Sequence, residues 1–143
     1  MSRNADHSYV SGFLKKLGHI GEQGVLDNVA EGDVVEIFSK DHVLLLPSKS
    51  FHSFTTWSLH ELLTQPWHSL FYRDPEDMEK VMAWIEKALC GEVVKDIKVT
   101  TLCKESKKNP MLLKHTLRHL FPIKNGLGVV GFLCVSRVEV INV

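Results

Sequence analysis

The sequence predicts an α+β fold in which helices cover one face of an antiparallel sheet. Two short strand candidates precede a helical middle, three longer strand candidates follow it, and the period of the apolar residues changes from 3.6 to 2 after Gly91. The chain has 143 residues, 44% of them hydrophobic and 24% charged, which is typical of one globular domain with a core. We therefore expect a single domain over residues 25–143, preceded by a cap helix and linker in residues 1–24.

The N-terminal segment carries apolar residues at helical spacing, which predicts a short amphipathic helix over residues 8–17. Gly18 is available to end this helix. The apolar positions are Val10, Phe13, Leu14 and Leu17.

The first two strand candidates are residues 33–38 and 42–46, which are separated by a turn-like Ser-Lys-Asp sequence. A stretch rich in Ser and Thr follows them. It leads into SLHELLTQ, which predicts a short helix ended by Pro66.

The strongest helix signal begins at Asp74. Asp74 is a suitable N-cap, Pro75 occupies the favoured first position, and the next two residues are acidic. An apolar stripe then runs as far as Gly91, which closes the helix. The stripe consists of Met78, Val81, Met82, Ile85 and Leu89.

Three longer strands are predicted after this helix, over residues 93–103, 111–121 and 129–140. The connections KESKKNP and IKNGLG are turn-like, so the three strands should form an antiparallel meander. With the two early strands, the predicted sheet has five strands.

The charge balance bears on the partners of the chain. The 17 basic and 17 acidic side chains cancel, which argues against a dedicated nucleic-acid binder. Residues 1–91 carry 8 basic and 13 acidic side chains (−5), whereas residues 92–143 carry 9 and 4 (+5). An acidic helical layer against a basic sheet favours packing within the domain, or between two copies, over binding of nucleic acid.

The cysteines and apolar runs bear on the location of the protein. Cys90, Cys103 and Cys134 lie in apolar stretches without paired spacing, which favours free thiols in a reducing compartment over disulfides. No apolar core of a signal peptide and no apolar run of about 18 residues occur in the sequence. We therefore expect a cytoplasmic domain with no membrane span.

Five short segments, taken in this order, resemble motifs of the PAS family of sensory and interaction domains. They are VLDNVAEGDVVEIF, DHVLLLPSKSF, FTTWSLHELLTQPW, DPED and FPIKNGLGVVGFLCVSR, and the resemblance spans Val25 to Val140. It implies a five-stranded PAS-like sheet, a small ligand or cofactor in the core, and transmission of a signal to an output domain or protein. Four places depart from the pattern, the first being the His of the family's His-Pro-Glu-Asp helix start, which has no clean match before Pro75. Ser48-Lys49 replaces an Asn-Pro pair, Thr56 replaces a Gly, and Val138-Glu139-Val140 replaces the Asp-Ile-Thr that couples the sheet to an output helix.

The resemblance also sets expectations for cofactors. The light-sensing branch forms a flavin adduct with a Cys between the short helices, but QPWHSLFYRD contains none. The haem-binding branch usually takes its ligand from a His on the long helix, and residues 74–90 contain no His. These two modes are disfavoured, whereas a flavin held without an adduct or a small organic ligand stays open.

A metal site is not expected. His115 and His119 would chelate an ion at i, i+4 on a helix, but on a strand they would lie about 13 Å apart, too far for one ion. Met78 and Met82 offer thioethers to a haem iron, although methionines at this spacing more often fill a core.

The resemblance places a ligand pocket between the long helix and the inner face of the sheet. Arg118 has two open interpretations: the resemblance turns it inward, to pair with an acidic ligand, whereas the apolar pattern of residues 111–121 turns it outward. The predicted pocket residues are Trp57, Met78, Met82, Ile85, Ile97, Val99, Arg118, Phe132, Cys134 and Ser136.

The outer face of the sheet is predicted to contact a partner, which the family commonly uses for a homodimer. Its residues are Val129, Leu133 and Val135, together with the apolar stripe of residues 8–17. The sequence contains no catalytic constellation, so an enzyme is not expected. The predicted function is a cytosolic sensory domain that binds a small ligand or cofactor, and the alternative is a cofactor-free dimerisation or protein-interaction module.

Overall fold

In the computed structural model, which describes residues 29–46, 55–107 and 110–141, the chain forms a six-stranded sheet and three helices. This is the predicted α+β class, and the predicted N-terminal cap helix lies outside the described residues. The strands are β1 (Val34–Ser39), β2 (Leu44–Leu46), β3 (Phe71–Tyr72), β4 (Val99–Glu105), β5 (Leu112–Asn125) and β6 (Gly128–Val140). The helices are α1 (Leu59–Thr64), α2 (Trp67–Leu70) and α3 (Pro75–Leu89).

The strand order in the sheet is β2-β1-β6-β5-β4-β3, and every neighbouring pair is antiparallel. The predicted meander is present as β4, β5 and β6, and β1 pairs with the last strand rather than with the middle of the chain. The sixth strand, β3, has two residues and pairs with Glu105 and Lys104 at the far edge. Neither β3 nor the four-residue helix α2 has a pattern long enough to be predicted from sequence.

The short helix α1 begins with the capping box that its sequence encodes. The Ser58 side chain accepts a hydrogen bond from the Glu61 backbone N–H, and the Glu61 carboxylate accepts one from the Ser58 backbone N–H. The helix ends at Thr64, before Pro66, as predicted.

The long helix α3 starts after Asp74 with Pro75 in its first turn, as predicted, although the Asp74 side chain makes no capping hydrogen bond. Its buried residues are Val81, Ile85 and Ala88. The methionines at 78 and 82 are half-buried beside this line. The helix therefore faces the sheet through a narrower stripe than the sequence indicates.

The strand predicted over residues 93–103 starts later, at Val99. Asp96 has a φ of 59°, which no extended strand adopts, and it separates an isolated bridge between Val94 and Leu120 from β4 proper. The break lies opposite an irregularity in β5 at Arg118, whose backbone carbonyl accepts the Ile97 N–H. Non-local pairing thus decides where this strand begins.

Two apolar clusters lie on opposite faces of the sheet. The inner cluster joins the sheet to the three helices, and it includes Phe38, Leu62, Leu70, Val81, Ile85, Leu117, Leu120 and Phe132. The outer cluster consists of Val29, Val35, Ile37, Phe121, Ile123, Leu133 and Val135, with Val130 packed against it. None of the helices in the described ranges is long and apolar enough to cross a membrane.

Candidate ligand-binding cavity

A cavity of about 70 Å³ lies between α3 and the inner face of the sheet. Three of its lining residues are ionisable groups other than thiols: Glu36 on β1, Arg73 between β3 and α3, and His115 on β5. The remaining lining residues are Phe38, Trp67, Phe71, Val81, Ile85, Cys103, Leu113, Leu117, Phe132, Cys134 and Val138. The cavity is therefore an apolar chamber into which three strongly polar side chains project.

Arg73 is held in this chamber from two sides. Its Nε donates a hydrogen bond of 3.0 Å to Thr101 Oγ1 on β4, and its guanidinium carbon lies 5.2 Å from the centre of the Trp67 ring. The residue is 6% exposed, and its Nη1 has no hydrogen-bond partner among the described residues. The side chain is positioned firmly while one of its donors remains available to a ligand.

Glu36 projects from the inner face of β1, where Cys134 is its neighbour across the β1–β6 pair. Burial raises the pKa of its carboxyl to about 8, and the positive charge of Arg73 opposes this rise only in part. Within the described residues, no hydrogen bond reaches the Glu36 side chain. At neutral pH the carboxyl therefore carries its proton and can donate a hydrogen bond into the cavity.

His115 faces the cavity from the middle of β5, opposite Thr101 on β4. Burial, with a smaller contribution from Arg73, lowers the pKa of its imidazole to about 3. Its Nδ1 is buried and has no hydrogen-bond partner in the described parts of the chain. The ring is therefore neutral at physiological pH and leaves one nitrogen unsatisfied.

Two thiols complete the ionisable lining. Burial raises the pKa of the Cys103 thiol, and burial raises that of the Cys134 thiol well above its ordinary value. Both thiols are thus protonated at neutral pH and are poor nucleophiles. With Glu36 and His115 also neutral, the cavity presents a single full charge, the guanidinium of Arg73.

The structure brings three of the ten predicted pocket residues to the cavity: Ile85, Phe132 and Cys134. Trp57, Met78, Met82 and Val99 pack against the inner cluster instead, and none of them lines the cavity. Trp57 donates its indole N–H to the Leu70 carbonyl at 3.0 Å. Ser136 is fully buried on the inner face of β6, also outside the lining.

Arg118 lies on the opposite face of the sheet from the cavity. The pairing of β5 with β6 skips it, from Leu117 opposite Ser136 to the next pair, so Arg118 is the extra residue of a β-bulge. Its guanidinium forms an ion pair with Asp33, which also pairs with Arg137 Nε at 3.0 Å. The inward position implied by the resemblance is thus wrong for Arg118, and the outward position from the apolar pattern is correct.

The same bulge changes the rest of β5. Before it, Leu113, His115 and Leu117 point inward, as the apolar pattern indicates. After it, Leu120 belongs to the inner cluster and Phe121 to the outer one, so the predicted alternation is wrong beyond residue 117. His115 and His119 consequently occupy opposite faces, and within the described residues no group of His, Cys, Asp or Glu is arranged to hold a metal ion.

Ile97, predicted to line the pocket, instead borders a separate open groove of about 290 Å³. Arg118 lines the same groove, together with Lys98, Thr116 and Arg137. Of the ten predicted pocket residues, three thus line the cavity, two border this groove, and five lie in neither.

The predicted partner surface was expected to be exposed, but its two central residues are buried. Leu133 and Val135 lie on the outer face, as predicted, but both are almost fully buried within the chain and offer no free surface. Val129 lies on the helix side, near Gly91, because β6 has a bulge at Val130. Val10, Phe13, Leu14 and Leu17 lie outside the described residues.

Sequence reasoning missed the three ionisable residues of the cavity. The signals for two of them were present: Glu36 is an acid in an apolar strand, in phase with Phe38, and His115 is in phase with Leu113 and Leu117. Arg73 follows a two-residue strand and has no periodic context. Only the tertiary structure turns its side chain toward the sheet.

Flavin and haem do not fit this cavity. A cavity of roughly 150 Å³ holds one benzene ring, and this one has less than half that volume, far below the needs of a three-ring flavin or a haem. The connection from α1 to α3 contains no Cys for an adduct, and α3 presents Val81 and Ile85, rather than Met78 or Met82, to the cavity. A ligand of a few non-hydrogen atoms is the size that the chamber accommodates.

No family model and no curated protein matches the sequence, but several solved structures match the fold. A fungal LOV-domain photoreceptor is 13% identical, with 91% of this chain and 91% of that chain covered and a TM-score of 0.57. The light-state dimer of the fungal blue-light photoreceptor Vivid is 16% identical, with 89% of this chain and 92% of that chain covered and a TM-score of 0.54. An RNA-binding light-oxygen-voltage receptor is 18% identical over 90% of this chain and 33% of that chain, with a TM-score of 0.53. The fold thus recurs in proteins with little sequence in common with this one.

Proposed function

Because the chain has the fold of PAS domains, of which LOV domains are members, we propose that it is a sensory domain that holds a small ligand in the cavity beside α3. The observation that carries the proposal is the set of buried polar groups around the cavity. Arg73 Nη1 and His115 Nδ1 are buried without a partner among the described residues. Unpaired buried polar groups are destabilising, and a polar ligand in the cavity would offset this cost by bonding to them.

The proposed output is a change in contacts with a partner. Arg73 connects the cavity to α2 through Trp67 and to β4 through Thr101, and it directly precedes α3. A ligand that moves the guanidinium would therefore move the edge of the sheet and the start of the long helix. The partner is a signalling output domain or protein, or a second copy in a homodimer, as in the dimer determined for Vivid.

The proposed domain is not an enzyme. The cavity thiols and the Glu36 carboxyl are protonated at neutral pH and the imidazole is neutral, so the lining offers no activated nucleophile. Any catalytic output would come from another domain or protein. A cytoplasmic location and the lack of a nucleic-acid partner remain predictions from the cysteines and the zero net charge.

The alternative proposal is a cofactor-free dimerisation or protein-interaction module. The small size of the cavity favours it, because about 70 Å³ is well below the volume of a typical ligand pocket. In that case the buried polar groups would be satisfied by trapped water, and only surface contacts would carry function.

The two proposals differ in whether the cavity accepts a ligand. Native mass spectrometry of the protein in the presence of millimolar small polar compounds should show added mass, and the same compounds should raise the melting temperature by several degrees. Absorbance between about 350 and 450 nm should show no flavin or haem. Cys103→Leu adds two non-hydrogen atoms to the cavity wall and should remove the shift. Cys90→Leu, at an exposed thiol, is the matched control and should retain it. A bare mass spectrum and no shift with any compound would leave the interaction module as the function.

A further inference from the structure

Arg73 is an unpaired positive charge inside the protein. Among the described residues no carboxylate lies within ion-pair distance of its guanidinium, and its one described hydrogen bond uses Nε. The other two arginines near the sheet, Arg118 and Arg137, both pair with Asp33 on the far side. A buried guanidinium without a counter-ion is unfavourable, which makes the cavity a site for an anion.

The neighbours of Arg73 in the cavity do not neutralise it. Glu36, the only carboxyl among the described lining residues, holds its proton at neutral pH, and His115, Cys103 and Cys134 are uncharged. The lining thus offers one cationic donor at Arg73 and one neutral donor at Glu36. An ionised carboxylate accepts hydrogen bonds on two oxygens, which matches two donors.

We propose that the ligand is a small monocarboxylate, such as formate or acetate, whose carboxylate binds the free end of the Arg73 guanidinium. This inference rests on the proposed function. It adds the chemical class of the ligand and the residue that recognises it. The protonated Glu36 donates a second hydrogen bond to the same carboxylate.

The volume of the cavity limits the size of the ligand. About 70 Å³ is roughly half the volume of a 150 Å³ cavity that holds benzene, which corresponds to about three or four non-hydrogen atoms. The apolar walls contributed by Ile85, Phe132 and Leu117 favour a short hydrocarbon tail over a multiply charged anion such as phosphate. A ligand this small is expected to bind with a dissociation constant on the order of 0.1 mM or weaker.

Protonation of Glu36 should control the affinity. Arg73 faces Glu36 from the start of α3, the two thiols face it from β4 and β6, His115 faces the same cavity from β5, and the lining residues of α3 are apolar. When Glu36 ionises, it neutralises Arg73 and repels the bound carboxylate. Binding should therefore weaken about 10-fold or more between pH 6.5 and pH 9.5.

The test is an NMR titration of the nitrogen-15-labelled chain with sodium acetate against sodium chloride at equal ionic strength. We expect saturable shifts of the Arg73 Nε–H signal and of residues around the cavity. Arg73→Gln should weaken acetate binding about 10- to 100-fold. Arg137→Gln, which removes an arginine on the opposite face, is the matched control and should leave the affinity unchanged. Glu36→Gln keeps a neutral donor, so its acetate affinity should be the same at pH 6.5 and pH 9.5.

Three results would overturn the proposal, and they differ in what they say about the domain. If acetamide binds as tightly as acetate and Arg73→Gln has no effect, the cavity holds a neutral ligand, so the carboxylate class is wrong while the sensory function stands. If chloride or nitrate competes with equal affinity, the site selects charge rather than a carboxylate. If neither acetate nor acetamide produces shifts in the folded protein, the ligand-binding function fails as well.

Discussion

The buried carboxylate of Glu105 holds the segment before α1 in place through hydrogen bonds. It lies at the end of β4, almost fully buried, and accepts hydrogen bonds from Thr55 Oγ1, from both the N–H and the hydroxyl of Thr56, and from the Met111 N–H, at 2.7–3.1 Å. Thr56 stands where the family pattern has Gly, and its hydroxyl adds a bond that Gly lacks. The TTW motif therefore ties residues 55–57 to the hairpin between β4 and β5.

Replacing Glu105 with Gln should lower the free energy of unfolding by about 2 kcal/mol at pH 7. Each Glu105 carboxylate oxygen now accepts a hydrogen bond from a backbone N–H, and the NH₂ group of Gln cannot accept one. One such bond would be lost, and hydrogen bonds to a charged group contribute about 1.5–3 kcal/mol. Urea unfolding measures the change. Glu92→Gln, at an exposed position, should change stability by less than about 0.5 kcal/mol.

The difference between Glu105→Gln and the natural protein should also depend on pH. Burial opposes ionisation of Glu105, but the hydrogen bonds from Thr56 and Met111 outweigh it and hold the pKa of the carboxyl below its ordinary value of 4.5. The stabilisation is thus present above about pH 4.5 and is lost as the pH falls below that value. A difference that stays constant down to pH 3 would contradict a role for the ionised carboxylate.

The bulges are the features of the strands that decide which side chains reach the cavity. The bulge at Arg118 turns that residue toward Asp33 and brings Leu120 inward, and the bulge at Val130 turns Val129 toward α3. A single extra residue reverses the face of every side chain beyond it. The cavity exists where it does because Leu113, His115 and Leu117 precede the first bulge.

Gly131 follows the second bulge, and it pairs with Ser39 of β1. A Cβ atom at this position would lie 2.2 Å from the Phe38 backbone carbonyl oxygen, and a backbone atom in a paired strand cannot move aside. Gly131→Ala should therefore lower the free energy of unfolding by about 2–4 kcal/mol, measured by thermal and urea unfolding. Gly126→Ala, in the hairpin turn with no atom within 4 Å of the added carbon, should have an effect below about 0.5 kcal/mol. Equal effects of the two substitutions would refute this explanation.

At the scale of the whole molecule, stability should have a maximum near pH 6.5. Burial raises the pKa of Glu36 to about 8 in the folded state, whereas the unfolded chain releases this proton above about pH 4.5. The free energy of unfolding therefore falls as the pH rises from about 4.5 toward 8. His115 has a pKa lowered to about 3 in the folded state, so below about pH 6.5 the unfolded chain takes up a proton that the folded protein does not. The free energy of unfolding therefore falls as the pH drops below about 6.5. Burial also lowers the pKa of His42 and of His119, which adds to the loss on the acid side.

The protonation of Glu36 makes the free energy of unfolding depend measurably on pH. Between pH 6.5 and pH 8 the free energy of unfolding should fall by about 1.4 kcal/mol per pH unit in the absence of a ligand, because one proton separates the two states at Glu36. Chemical unfolding at several pH values measures the slope. Glu36→Gln should abolish it, whereas Glu79→Gln, on the exposed side of α3, should leave it intact. A natural protein with no slope in this range would show that Glu36 is ionised in the folded state.

The sequence by itself determined the α+β class, the start of α3, the end of α1 and the order along the chain of the main strands, including the meander of the last three. These depend on local patterns: a cap, a proline, a period of 3.6 or of 2. Ile85, Phe132 and Cys134, which the resemblance to the PAS family assigned to a pocket, do line the cavity.

Only the tertiary structure decided the site. The bulges at Arg118 and Val130 arise from pairing between strands that are distant in the chain, and no local pattern marks them. Arg73 reaches the cavity because β3, two residues long, pairs with the end of β4. Burial among groups brought together from β1, β4, β5 and β6 keeps Glu36 protonated and His115 neutral, which leaves Arg73 as the charge that a ligand would meet.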